Sequence, residues 1–208
     1  MSRVLVISPH PDDEAIGCGG TLRSHVLASD PVRVIFLTSG ENGGHGRPQD
    51  ETAVRREREA DEAAKILGVG PIEFWRQRDG KLRAHGPLVE RLRGVFADWK
   101  PDLVYVTHDK EMHPDHRAAA RLVRHALAKC RPPTPEVDMY EVWTPMQKMD
   151  RIVDISDQVE DKIAAIRAHK SQCDVVAFDA AARGLSRYRG ELHSWPGGNY
   201  AEIFTRMR

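Results

Sequence analysis

The stretch Val4-Leu5-Val6-Ile7-Ser8-Pro9-His10-Pro11-Asp12-Asp13-Glu14-Ala15-Ile16-Gly17-Cys18-Gly19-Gly20 decides how the rest of this chain is read. Residues 3–8 form a short, β-branched run without polar alternation, the pattern of a strand buried on both faces. The run stops at Ser8-Pro9, and residues 13–28 read as a helix with Ile16, Leu22, Val26 and Leu27 on its inner face. Glycines at 17, 19 and 20 weaken that helix in isolation and imply close approach of its backbone to a neighbouring strand or ligand. His10, Asp12, Asp13 and Glu14 lie at the handover from strand to helix. In an open α/β sheet that handover is the carboxyl end of a strand, where ligands bind.

The same unit recurs along the chain. Strands are predicted at residues 32–38, 72–75, 103–107, 137–143, 151–155 and 202–207. Helices are predicted at 51–67, stopped by Gly68, at 88–99, from His116 to about Lys129, and from an Asp157 cap to about His169. Residues 39–50 are a loop on composition and fall at the same sheet edge as His10, while 186–200 read as a long ordered loop. Strand-helix alternation of this kind predicts an α/β fold: a single three-layer α/β/α domain over residues 1–208, with a mostly parallel, Rossmann-like sheet and helices on both faces.

A chain of 208 residues is long enough for one full core. Its 31 Lys and Arg balance 31 Asp and Glu, so there is no basic surplus for nucleic acid or a membrane surface, and neither is expected as a partner. Cys18, Cys130 and Cys173 are odd in number, widely spaced and without a Cys-x-x-Cys pair, which points to a reducing, cytoplasmic setting. The first apolar run is shorter than the core of a secretory signal.

Two chemistries compete for the opening turn. Dinucleotide binding needs Gly-x-Gly-x-x-Gly in the turn, but after Gly17 and Gly19 position 22 is Leu. Carboxylates at 12 and 13 would also repel a pyrophosphate. Metal binding fits better, because catalytic zinc takes three protein ligands from His and carboxylate. His10 and Asp13, three apart across a tight turn, can point to one spot, with Asp12 facing differently as a base. The missing ligand must come from another strand end, and His113-Pro114-Asp115-His116 is the comparable cluster. Spacing leaves either His113 or His116 as that ligand. A lone histidine at a strand end is more often structural than a ligand, and Asp13 or Asp115 alone could be a helix cap. Two such clusters, each at a predicted strand end, are hard to ascribe to capping.

Pro9-His10-Pro11-Asp12-Asp13-Glu14 together with His113-Pro114-Asp115-His116 resembles the zinc-dependent N-deacetylases of the LmbE/PIG-L family. Supporting resemblances run along the chain, at Leu37-Thr38-Ser39-Gly40-Glu41, Arg56 with Glu59-Ala60, Lys162 through His169-Lys170-Ser171-Gln172, and Ala201-Glu202-Ile203-Phe204. The resemblance implies His10, Asp13 and His116 as ligands of one Zn2+ per subunit, other divalent metals being compatible with the same set. It implies Asp12 as general base and His113 as oxyanion stabiliser or acid, oriented by Asp115. Arg56 would lie at the substrate side. Glu111 stands where many members have Asp.

The implied reaction is hydrolysis of an acetamide on a small N-acylated amino sugar, a GlcNAc-type conjugate. Relatives often form homo-oligomers, which carries over only as an association. Arg187, Tyr188, Arg189 and Trp195 are expected either to line a pocket for an anionic aglycone or to form a solvated loop. Two other readings share these residues: an amidase for a larger N-acyl group, and a non-catalytic metal- or sugar-binding domain. Intact Asp12 and His113 argue against the latter.

Overall fold

Val4–Ser8 is buried at every residue, and the topology explains why. The computed structural model describes residues 1–193 and 197–208. In chain order the elements are β1 (Val4–Ser8), α1 (Asp13–Leu27), β2 (Val32–Thr38), α2 (Gln49–Leu67), β3 (Ile72–Gln77), α3 (Gly86–Trp99), β4 (Leu103–Thr107) and α4 (Pro114–Leu127). There follow β5 (Glu136–Tyr140), β6 (Arg151–Asp154), α5 (Val159–Ala168), the short α6 (Lys170–Cys173), α7 (Phe178–His193) and β7 (Ala201–Arg206). They build one seven-stranded sheet of order β3-β2-β1-β4-β5-β7-β6. β1 through β5 run parallel, and β7 pairs antiparallel with both β5 and β6.

Side chains alternate across the sheet, so each strand feeds two cores. Leu5, Ile7, Ile35 and Leu37 meet Leu88, Leu92 and Phe96 of α3 and Ala119, Leu122 and Val123 of α4. Val4, Val6, Val34 and Phe36 face the other way, onto Cys18 and Leu22 of α1 and Ala60 of α2. A third cluster joins α1, α2, α5 and α7 through Ala15, Leu67, Ile163, Ile166 and Ala182. The helices therefore cover both faces, as the alternation predicts. Gly68 ends α2 in the left-handed conformation at φ 76°, which suits glycine.

Three readings are corrected. Leu27 is not on the inner face of α1 but 59% exposed, since Leu22 and Val26 one turn apart define the stripe and Leu27 falls beside it. Asp157 does not cap α5, which starts at Val159 after Gln158. Residues 186–193 are not loop but the second half of α7, whose alanines, leucines and arginines are strong helix formers despite Gly184 and Gly190.

α1 is kinked at Cys18, where φ is −141° and ψ 16°. The amide groups of Gly20 and Thr21 donate to the Glu202 carboxylate at 3.0 and 2.8 Å. Lys162 Nζ donates to the same carboxylate at 2.6 Å. Gly20 has to be glycine, because a Cβ there would lie 2.7 Å from Ile155. Glu202→Ala would leave two amide groups and a 2%-exposed ammonium without their acceptor. It is expected to lower unfolding free energy by about 3–5 kcal/mol, the range for breaking a buried ion pair. Urea denaturation checks this, and a loss below ~1 kcal/mol would show that α1 is held by its apolar contacts alone.

Candidate metal centre

The chain leaves β1 for β2 and β3 on one side and returns to β4 and β5 on the other. The sheet therefore has its switch point between the carboxyl ends of β1 and β4, where an open α/β sheet leaves a crevice. His10 lies two residues beyond β1, Asp79 two beyond β3, and His113, Asp115 and His116 follow β4. Parallel pairing puts all of them at one edge.

Three donor atoms form a triangle there. His10 Nδ1 lies 3.1 Å from Asp13 Oδ2, His116 Nε2 lies 3.2 Å from the same oxygen, and the two nitrogens are 3.3 Å apart. Tetrahedral zinc with bonds near 2.0–2.1 Å separates its ligand atoms by about 3.3 Å, so this triangle has the dimensions of one face of such a site. Asp13 and His116 are almost wholly buried and His10 is 7% exposed. Among the described residues His116 Nδ1 has no hydrogen-bond partner; it is buried, 3.8 Å from Glu111 Oε2.

Two further donor groups share His10: His10 with His113 and His116, and His10 with Asp79 and Asp115. The second surrounds the far nitrogen. His10 Nε2 is 3.1 Å from Asp79 Oδ1 and 3.4 Å from Asp115 Oδ2. Both carboxylates already accept backbone N–H groups, Asp79 from Asn42 and Asp115 from Gly80 and Leu82. They suit the role of acceptors for an Nε2–H, which fixes the tautomer and leaves Nδ1 free to bind a cation. Burial opposes charge on His10, but Asp115, Asp13 and Asp79 outweigh it and raise its pKa well above the ordinary value. Burial likewise opposes charge on Asp13, yet the His116 and His10 rings hold its carboxyl well below the usual range.

Asp12 stands beside this triangle under different control. Burial pushes its pKa up to about 6, with Arg56 pulling the other way and Asp13 adding to the rise. Its φ is 126°, a strained value for a residue with a Cβ, of the kind stored at functional sites. Arg56 clamps it: the guanidinium donates to Asp12 Oδ2 at 2.9 Å, to the Pro11 carbonyl at 2.7 Å and to the Gly40 carbonyl at 2.9 Å. Glu14 supports the turn from below, accepting the Asp12 amide at 3.2 Å and the Ser8 hydroxyl at 3.4 Å. Burial and Asp12 push Glu14 up to about 8.

His113 is half-buried at the N-terminus of α4, and its Nδ1 accepts the amide of Asp115 at 3.2 Å. Since an amide can only donate, Nδ1 is bare and the proton of the neutral ring sits on Nε2. Burial, then His10 and His116, lower its pKa, so the ring is neutral at pH 7. The Asp115 contact differs from the expected one: its backbone, not its carboxylate, orients His113, because the carboxylate is spent on Gly80, Leu82 and His10.

A cleft of about 300 Å³ opens over His10, Asp12, Asp13 and His113, between a polar wall with Asn42, His45 and Asp79 and an apolar one with Trp143, Val176 and Phe178. A family model described as PIG-L: GlcNAc-PI de-N-acetylase matches residues 5–127, which include both His/Asp clusters. The chain belongs to the PIG-L family. It is 31% identical to the diacetylchitobiose deacetylase of Thermococcus kodakarensis, over 97% of this chain and 82% of that protein. It is 29% identical to a probable N-acetyl-alpha-D-glucosaminyl L-malate deacetylase 2 of Bacillus anthracis, over 81% and 80%. The solved N,N'-diacetylchitobiose deacetylase of Pyrococcus horikoshii superimposes with a TM-score of 0.88 at 29% identity, covering 99% of this chain and 84% of that one. GalB, the 4-carboxy-2-hydroxymuconate hydratase of Pseudomonas putida, shares the fold at TM-score 0.88 and 24% identity, over 100% and 97%.

Within this PIG-L scaffold the 187–189 run is not part of the cleft. Arg187 pairs with Glu191 on the surface of α7, Tyr188 is half-exposed against His193, and Arg189 is buried with Nε and Nη2 donating to Glu141 and Nη2 also to the Met146 carbonyl. A helix spreads neighbouring residues around its axis, so the run cannot face one ligand together. Trp195 lies outside the described residues. Arg56 does line the cleft, but its two terminal nitrogens donate to Asp12, Pro11 and Gly40. Asp79 carries a weaker sequence signal than the His/Asp clusters, a polar Arg-Asp-Gly turn directly after a strand. Asp79→Ala removes the nearest acceptor for His10 Nε2. It is expected to weaken Zn2+ affinity about 10–100-fold in chelator competition. Unchanged affinity would mean that Asp115 alone orients the ring.

Proposed function

We propose that this chain is a metal-dependent N-deacetylase that removes the acetyl group from a GlcNAc-type sugar conjugate. His10, Asp13 and His116 would hold one zinc ion per subunit, a donor set that iron or cobalt also suits. The observation that carries the reading is the donor triangle with edges of 3.1, 3.2 and 3.3 Å and the strained Asp12 beside it. Membership of a de-N-acetylase family and deacetylase relatives on two sides support the same reaction. Three free cysteines and balanced charge support a cytoplasmic small-molecule enzyme without nucleic-acid or membrane partners. Among the described residues, no helix is long and apolar enough to cross a membrane.

When bound, the metal supplies Lewis-acid polarisation of the acyl oxygen and lowers the pKa of water. Asp12 takes the proton from the attacking water, poised for it by burial and kept from a higher pKa by Arg56. The water oxygen bonds to the acyl carbon, and His113, neutral with its proton on Nε2, donates to the oxyanion that develops there. Asp12 then returns its proton to the nitrogen as the carbon–nitrogen bond breaks, releasing acetate and the free amino sugar. Asn42, His45 and Gln172 supply polar groups around the cleft for sugar hydroxyls.

Asp12→Ala is expected to retain zinc while kcat falls by about 10²–10⁴-fold, and His116→Ala to lose zinc itself. Metal analysis of both proteins checks the roles; release of zinc from Asp12→Ala would overturn the ligand assignment. A base works above its pKa and is lost as pH falls through it, so kcat/KM should carry an acid limb set by Asp12. Arg56 lowers that pKa, so Arg56→Met is expected to move the limb to higher pH. A limb that stays in place or moves down would remove Asp12 as its source.

A further inference from the structure

A second cavity adjoins the cleft and is not used by the deacetylation chemistry. It holds about 250 Å³ and runs between α1, α7 and β7, with Ile16, Ala181, Ala182, Leu185 and Ile203 in its walls. Trp143, Val176 and Phe178 line both this cavity and the cleft over His10 and Asp13, so the two spaces meet at these three side chains. Trp143 and Phe178 touch edge to face, with ring centroids 5.5 Å apart, and Trp143 is 47% exposed. The partition between the spaces is therefore made by the side chains of Trp143, Val176 and Phe178.

The position of the cavity matters more than its size. Gly17, in its wall, lies one helical turn beyond Asp13, the carboxylate of the donor triangle. The cavity thus lies beside the Asp13 end of the cleft. The polar wall of Asn42, His45 and Asp79 belongs to the loops after β2 and β3, on the other side. Charged groups in the cavity wall are matched among themselves: Lys162 with Glu202, Arg189 with Glu141. What remains for a ligand is the apolar surface of Ile16, Ala181, Ala182, Leu185 and Ile203.

We propose that this cavity is an acyl-chain subsite, and that the enzyme acts on N-acyl amino sugars with chains longer than acetyl. This rests on the amide-hydrolase reading above and names its substrate class more closely. The step is unchanged and balanced: water adds to the acyl carbon, the carbon–nitrogen bond breaks, and a short-chain fatty acid and the free amine leave. Burying each additional methylene raises kcat/KM by about fourfold until the cavity is full.

The test is amine release from N-acetyl-, N-butyryl-, N-hexanoyl- and N-octanoylglucosamine by the zinc-loaded protein. The expected profile rises from acetyl to hexanoyl and then levels. Ala181→Phe, at an exposed position of α7 that tolerates bulk, should cut the hexanoyl rate at least tenfold and leave the acetyl rate within twofold. In the Asp12→Ala protein, calorimetry should show the same chain-length ladder in binding without turnover. A rate that falls from acetyl onward overturns the subsite and leaves the deacetylase reading intact. A gain confined to octyl glycosides of N-acetylglucosamine overturns it too, by giving the cavity to the aglycone. No release from any member of the series overturns the hydrolase reading itself.

Discussion

One imidazole is held by carboxylates on both of its nitrogens, and most of the centre depends on that. His10 meets Asp13 on Nδ1 and Asp79 and Asp115 on Nε2, all buried. These four side chains come from the ends of three different strands, so the ring is a junction between loops as much as a component of a site. Buried carboxylates at this density would ordinarily protonate to escape their desolvation and mutual repulsion. Asp13, Asp79 and Asp115 are instead held below the usual range, with burial opposing and His10 among the causes that win in each case. The same field that raises the affinity of His10 for a proton favours a divalent cation at Nδ1, where Asp13 and His116 already converge.

Around that junction the chain separates two adjacent carboxylates into opposite roles. Asp13 points at two imidazoles and stays ionised; Asp12, one residue earlier, points at Arg56 and is pushed up to about 6. Pushing neighbouring acids apart in this way is how a fold obtains a ligand and a base from the same residue type. The backbone accepts a strained φ at Asp12, whose side chain meets Arg56. Glu14, buried and shifted to about 8, holds the turn without adding another negative charge at neutral pH.

Much of this was legible in the sequence, because strand burial and turn chemistry are local. The run at residues 4–8, the His/Asp clusters after β1 and β4, and Gly68 at the end of α2 each carry their own signal, and the parallel sheet follows from their alternation. What was not legible depends on which side chains meet across the sheet. Asp79 is one aspartate in a short turn until β3 pairs with β2 and brings it to His10. Residues 186–193 looked irregular because glycines and aromatics mask the helical spacing of Ala182, Ser186 and Arg189, the buried stripe of α7. Glu111, noted only as an atypical residue, turns out to accept the amides of Val142, Trp143 and Thr144 while facing His116. It ties the loop that carries Trp143 to the His116 side of the site.

The fold itself does not choose the reaction. A structure named as a hydratase superimposes on this chain as well as a named deacetylase does, with the same TM-score. An α/β sheet with a crevice at its switch point is a scaffold, and chemistry must be argued from the groups it presents. Here those groups are a three-atom donor face, the Asp12 carboxylate held beside it, and a neutral imidazole with its proton on the outer nitrogen. They describe attack of water on a polarised acyl carbon. The walls of the cleft differ: one is polar, the other apolar and adjacent to a second cavity. Trp143, Val176 and Phe178 lie where the two spaces meet, so any ligand that reaches from one into the other must pass them.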